Sequence, residues 1–156
     1  MSAFLDRLQA EQTDWRMGRS VWITLAPLRY RSDRLNAEVV IPARFVTDFA
    51  SVPRLPLAWL LAGGRGTRSA VLHDFPYQFG YWLTSEGERL TVKRGLVDDV
   101  FRESLPADPI SGAGAVMAAT MYAAVRIGGW PSWQARAART PALNPKWSRE
   151  GWVQEA

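Results

Sequence analysis

The chain has 156 residues, 47% apolar and 22% charged, which suits one globular domain with a buried core and excludes global disorder. Nineteen Lys and Arg residues face fifteen Asp and Glu residues, a net charge of +4 that is spread along the chain, so there is no strong nucleic-acid signal. There are no cysteines, which excludes disulfides, zinc–cysteine centres, iron–sulfur clusters and thiol catalysis, and suits synthesis in a reducing cytoplasm.

The N-terminal MSAFLDRLQAEQTDW is too polar for a signal peptide. Residues 3–10 carry Phe4, Leu5 and Leu8 on one side, a pattern for a short amphipathic helix. SVWITLAPLRYRS, residues 20–32, predicts a strand interrupted by Pro27, and AEVVIPARFVTDFAS, residues 37–51, a second extended segment. LNA supplies the turn between them. After Asp48 the chain turns to proline and glycine, with a short helix expected at 56–62 and a flexible GGRG turn at 63–66.

A helix is expected from near Thr67, carrying His73, followed by a polar break at TSEGER, residues 84–89. Thr91 then suits the N-cap of a second helix, TVKRGLVDDVFRESL, closed by Pro106 and Pro109. Residues 110–129 predict a third helix of small and apolar residues. Its length and its Ser111, Thr120 and Arg126 favour a buried core helix over a membrane span. The remainder is rich in Trp, Pro and Arg with little periodicity. The expectation is therefore an α+β fold: an N-terminal β-ribbon or small antiparallel sheet, then a bundle of about three helices. Residues 1–130 form one compact domain and residues 131–156 an extended C-terminal arm.

The only histidine is His73, in AVLHDFPYQFGYW. On a helix His73 and Tyr77 share a face, whereas Asp74 sits about 100° round. Asp74 is therefore poorly placed to orient His73 and better placed to hold a divalent cation. A base histidine needs a carboxylate on its far nitrogen. On the second helix Asp98 lies in line with Phe101 and Leu105 and faces the core, while Asp99 lies with Arg102 and Glu103 and faces water. The expected constellation is His73 as base, Asp98 as its orienter, Tyr77 as a buried hydrogen-bond donor and Asp74 as a metal ligand. In TDFASVPR, residues 47–54, Asp48, Ser51 and Arg54 are read as structural or as lining the same pocket. A nucleophilic Ser51 lacks a nucleophile-elbow pattern.

F-x-TDFASVPR, then after a short gap A-x-LHD-x-x-Y, then an acidic helix with D-x-x-F, then MYAAVR-x-x-G, together resemble a family of small phage and prophage proteins of unknown function. The resemblance runs from about Tyr30 to Trp130. Separately, HD-x-x-Y followed by D-x-x-F is similar to the active-site pattern of phospholipases of the A-two class, including compact viral ones without disulfides. That similarity implies a water-activating His73 supported by Asp98, with Tyr77 bonding the acid and Asp74 binding calcium. Two features depart from the class pattern: GGRG stands too close to the histidine to be its calcium loop, and Pro76 falls inside the histidine helix.

Two readings follow. One is a phospholipase-like His/Asp hydrolase acting on an ester or membrane lipid. The other is a non-catalytic virion or assembly protein of the tail, neck or capsid, which clasps other phage proteins with its C-terminal arm. Both imply synthesis in the host cytoplasm. DNA contact is the least supported reading.

Overall fold

The structure, a computed structural model, describes residues 1–16, 19–47, 66–108, 114–139, 146–147 and 154–155. The strands are β1 (Ala3–Phe4), β2 (Ala10–Arg16), β3 (Arg19–Thr24), β4 (Leu28–Ser32), β5 (Ala37–Ile41), β6 (Val46–Thr47), β7 (Tyr81–Thr84), β8 (Arg89–Thr91), β9 (Lys146–Trp147) and β10 (Gln154–Glu155). The helices are α1 (Thr67–Phe79), α2 (Arg94–Ser104), α3 (Ala115–Gly128) and α4 (Trp130–Arg139). The class is α+β, with the antiparallel strands of the N-terminal third leading into the helices.

The main sheet has the order β1-β4-β5-β7-β8, every pair antiparallel. A second sheet, β2-β3-β6, lies beside it in sequence, and β9 pairs with β10. The two prolines divide what reads as two long strands into four short ones. Pro27 parts β3 from β4, and Pro42 parts β5 from β6, so each half enters a different sheet. Proline has no N–H for a ladder, and the chain changes sheets where the ladder must stop. Thr24 makes the crossing rigid: its hydroxyl donates to the Pro42 carbonyl at 2.8 Å and accepts from the Phe45 N–H at 2.9 Å. The β4–β5 turn closes at Asn36, whose φ of 48° is one that asparagine tolerates.

Several elements differ from expectation. Residues 3–10 are not helical. Phe4 pairs across to Tyr30, and its ring packs on that of Tyr30 at 4.7 Å, so sheet pairing overrides a weak helical pattern. The polar TSEGER segment is the tip of a hairpin, β7–β8, with Gly87 at φ 87°. Thr91 is therefore the last residue of β8, and α2 begins at Arg94 after Lys93. Helix α3 buries one side only, through Ala118, Met121 and Val125, and leaves Val116 and Ile127 each 83% exposed. It is a surface helix, not a core helix. The segment expected as an extended arm begins with helix α4, where Pro131 stands in the first turn, a place proline tolerates. The helix expected at 56–62 lies outside the described residues. Among the described residues, no helix is long and apolar enough to cross a membrane.

Helix α1 is the centre of the molecule. Its ten residues from Arg68 to Tyr77 are all buried, and it packs against α2, α4 and β7. A helix buried on every side has little amphipathic contrast, and its polar residues must find partners inside. Arg68 does so by pairing with Asp108, with its Nε 3.1 Å from Oδ2, and by donating to the Asp6 carbonyl at 3.1 Å. Gly80 ends the helix at φ 80°, a left-handed cap favouring glycine, and its N–H donates to the Pro76 carbonyl at 2.7 Å.

Pro76 does not break α1. Proline at this position deprives the Leu72 carbonyl of its usual partner four residues on. The indole Nε1–H of Trp82, on β7, donates to that carbonyl at 3.0 Å. Trp82 is fully buried. The strand after the helix thus supplies the hydrogen bond that the proline removes.

Candidate functional site

Helices α1 and α2 bring His73 and Asp98 together as the helix geometry predicts. His73 Nε2 lies 3.0 Å from Asp98 Oδ1, and both side chains have no exposed surface. Tyr77, one turn further along α1, donates its hydroxyl to the same oxygen at 2.7 Å. The imidazole lies between the tilted rings of Tyr77, with centroids 4.2 Å apart, and Phe101 at 4.8 Å.

The second carboxylate oxygen of Asp98 faces cations. Arg126, from α3, donates Nη1 to Oδ2 at 3.2 Å, and Arg94 Nη1 stands 3.6 Å from it. Arg94 also donates to the Arg126 carbonyl at 2.9 Å. Burial pushes the Asp98 carboxyl up, but the hydrogen bond and charge of His73 and the bonds from Tyr77 and Arg126 outweigh it and hold Asp98 below the usual carboxylate range. Tyr77 moves the other way. Burial, then its bond to Asp98, raises the phenol well above its ordinary value, so the hydroxyl stays a donor. Asp99 is turned outward and accepts from the Tyr122 hydroxyl at 2.9 Å.

Asp74 occupies a separate place. Its Oδ2 accepts from the Thr47 hydroxyl and, at 3.0 Å, from Gln78 Nε2, which also donates to the Val46 carbonyl at 3.1 Å. The first residue of TDFASVPR is thereby fastened to the aspartate of LHD. At Asp74, Gln78 thus directs an N–H donor and not an oxygen. No group of three or more His, Asp or Glu side chains among the described residues is arranged to hold a metal. Asp48, Ser51 and Arg54 lie outside the described residues.

Three contributors are not foreseen in the sequence. Arg126 and Arg94 are the cations that balance Asp98. Arg126 is the polar break within the apolar α3, the one signal that pointed to it. Gly129 is the third. A β-carbon there would stand 2.5 Å from the Tyr77 hydroxyl oxygen and 2.5 Å from the Val125 carbonyl oxygen. The last letter of MYAAVR-x-x-G is therefore glycine because Tyr77, bonded to Asp98, occupies the room. Trp133, on α4, completes the enclosure with its ring 5.1 Å from that of Tyr77.

The arrangement is a carboxylate fixed by two arginines, bonded to one nitrogen of an imidazole and to a phenol. Such a group can hold the imidazole in one tautomer and stabilise its protonated form. No curated protein and no solved structure matches the chain. Residues 22–125 match the family described as protein of unknown function DUF1353. That range holds TDFASVPR, His73, Asp74, Tyr77 and Asp98 within about two thirds of the sequence, and the chain belongs to the DUF1353 family.

Proposed function

We propose that His73 and Asp98 are the water-activating pair of a phospholipase-like hydrolase, with an ester or lipid as substrate, in a small phage or prophage protein. The observation that carries the reading is the 3.0 Å contact of Nε2 with Asp98, reinforced by Tyr77 at 2.7 Å. A carboxylate on Nε2 keeps the proton there and makes Nδ1 the basic nitrogen. Nδ1 takes a proton from water as the hydroxide attacks the ester carbonyl, and the imidazolium returns that proton to the departing alcohol. Asp98 stabilises the imidazolium between these steps. General-base catalysis of this kind contributes about 10²- to 10⁴-fold. Calcium at Asp74 belongs to the proposal only as a test condition, since Asp74 already serves Thr47 and Gln78.

A second reading has its own observation. His73 has no exposed surface, so a substrate reaches it only when a neighbouring part of the chain moves aside. If nothing moves, the pair is a buried polar network that fixes the packing of α1, α2 and α3. The protein is then a non-catalytic virion or assembly component. Hydrolysis of a chromogenic short-chain ester and of phospholipid vesicles, with and without calcium, separates the two. His73→Gln keeps a side-chain donor for Asp98 and removes the base. It is expected to retain the fold by circular dichroism and to lose at least about a hundredfold in rate. Equal rates for wild type and His73→Gln defeat the hydrolase reading. Mass spectrometry of purified particles then tests the virion role.

A further inference from the structure

Helix α3 turns one side to solvent that the described residues leave uncovered. Ala118, Met121 and Val125 are its buried residues. On the opposite side stand Val116, Ala119, Thr120, Ala123 and Ile127, all exposed, Val116 and Ile127 each to 83%. At about 100° per residue these five fall within an arc of roughly 100°. Single exposed apolar residues are ordinary on a protein surface, but a continuous stripe of them marks a contact face. The arc carries no charge. The one charged residue of the helix, Arg126, lies just outside it and is bonded to Asp98. The one polar residue within it, Thr120, turns its hydroxyl back to the Val116 carbonyl at 2.9 Å, so that donor already has an acceptor inside the helix.

The order of sizes along the stripe selects its occupant. Val116 lies as far before the point midway between Met121 and Tyr122 as Ile127 lies beyond it, and Thr120 and Ala123 flank that point equally closely. A second copy laid antiparallel across this point sets Thr120 against Ala123 of the partner subunit at the centre, and Val116 against Ile127 of the partner subunit at each end. Small side chains where two crossing helices come closest let the axes approach, and larger ones fill the space where the axes diverge. A two-fold contact requires a patch that is complementary to itself in this way. A lipid surface fits less well, because the arc offers no lysine or arginine to headgroups. We infer that this face of α3 docks a second copy of the chain, as an antiparallel helix pair related by a two-fold axis. The contact needs no chemistry at His73. Helix α3 also carries Arg126 to Asp98 and leads into Gly129 beside Tyr77, so the second copy braces the segment that closes the candidate site. One helix pair is a small interface, and the dimer is expected to exchange with monomer.

The chain has no cysteine, so introduced thiols report the pairing alone. A rise of about 1.5 Å per residue puts the two copies of residue 116 about 16 Å apart along the helix pair, whereas a disulfide needs α-carbons within about 7 Å. Val116→Cys mixed with Ile127→Cys is expected to give a cross-linked dimer on oxidation, and each variant alone is expected to stay a single chain on a denaturing gel. Light scattering over a dilution series is expected to show the wild type moving from the mass of two chains toward that of one. Ile127→Glu changes an exposed side chain, so its circular dichroism should match wild type while its dimer dissociation constant rises at least about tenfold. A wild type that stays monomeric throughout the series overturns the inference, as does Val116→Cys cross-linking alone as readily as in the mixture. A monomeric wild type that sediments with phosphatidylcholine vesicles, while Ile127→Glu does not, also overturns it and gives the face to a lipid surface.

Discussion

Gly129→Ala places one methyl group where the enclosure of Asp98 has least room. The new carbon would lie 2.5 Å from both the Tyr77 hydroxyl oxygen and the Val125 carbonyl oxygen, whereas ordinary contacts begin at 3.4 Å. Both contacts must open by about 0.9 Å, the difference between those distances. Val125 is backbone at the end of α3 and is held by its bond from the Gly129 N–H at 2.9 Å. Tyr77 is pressed between His73 and Trp133 and bonded to Asp98 at 2.7 Å. Overpacking of this kind costs about 1–3 kcal/mol. Loss of a hydrogen bond to a charged group adds roughly 1.5–3 kcal/mol where Tyr77 gives up its bond to Asp98. Replacing glycine returns up to about 1 kcal/mol through the unfolded state. A net loss of about 2 kcal/mol, or roughly 4–8 °C in a chain of this size, is expected from thermal unfolding. Tyr77→Phe removes the oxygen that collides, so the double variant should lose less than the sum of the single changes. A Gly129→Ala protein as stable as wild type, or strict additivity with Tyr77→Phe, would refute the packing argument.

Two further predictions concern the same region. Trp82→Phe leaves the Leu72 carbonyl without its indole donor and should cost about 1–3 kcal/mol beyond the lost ring volume. Pro76→Ala in that background restores a backbone N–H and should recover part of the loss, measured by urea denaturation. No recovery would mean that the indole bond is incidental. Asp98 is held below its ordinary pKa in the folded protein, so its contribution to stability is complete above the unfolded value of about 3.9 and fades as pH falls through the lower folded value. Asp98→Asn should be less stable at neutral pH and should show a shallower fall in urea midpoint as pH drops below the unfolded value of about 3.9. Parallel curves for the two proteins would contradict this assignment.

The partners at the site were readable because they rest on helical spacing alone. Asp98 falls on the line of Phe101 and Leu105, and Tyr77 falls one turn from His73, so two periodicities converged on one carboxylate. The strands around them were harder to read. YWLT, residues 81–84, continues the apolar run of α1, and only Gly80 marks where helix becomes strand. The N-terminal residues 3–10 carry too few apolar positions to distinguish a helix face from a short edge strand. Arg126 and Gly129 could not be assigned because their roles are set by the docking of α3, which joins Arg126 to Asp98, 28 residues away, and sets Gly129 against Tyr77. Helix α4 falls in the Trp-, Pro- and Arg-rich stretch read as having little periodicity, although Trp130 and Trp133 stand three apart at its start.

The indole bond across Pro76 also bears on how the protein is assembled. A helix with a proline at its tenth residue cannot close its own ladder, so α1 gains its full set of bonds only when β7 has come alongside. Helix and hairpin are therefore one folding unit. Their amides should exchange with solvent in the same opening event, and the imidazole at residue 73 should take its final orientation only after residue 82 has docked.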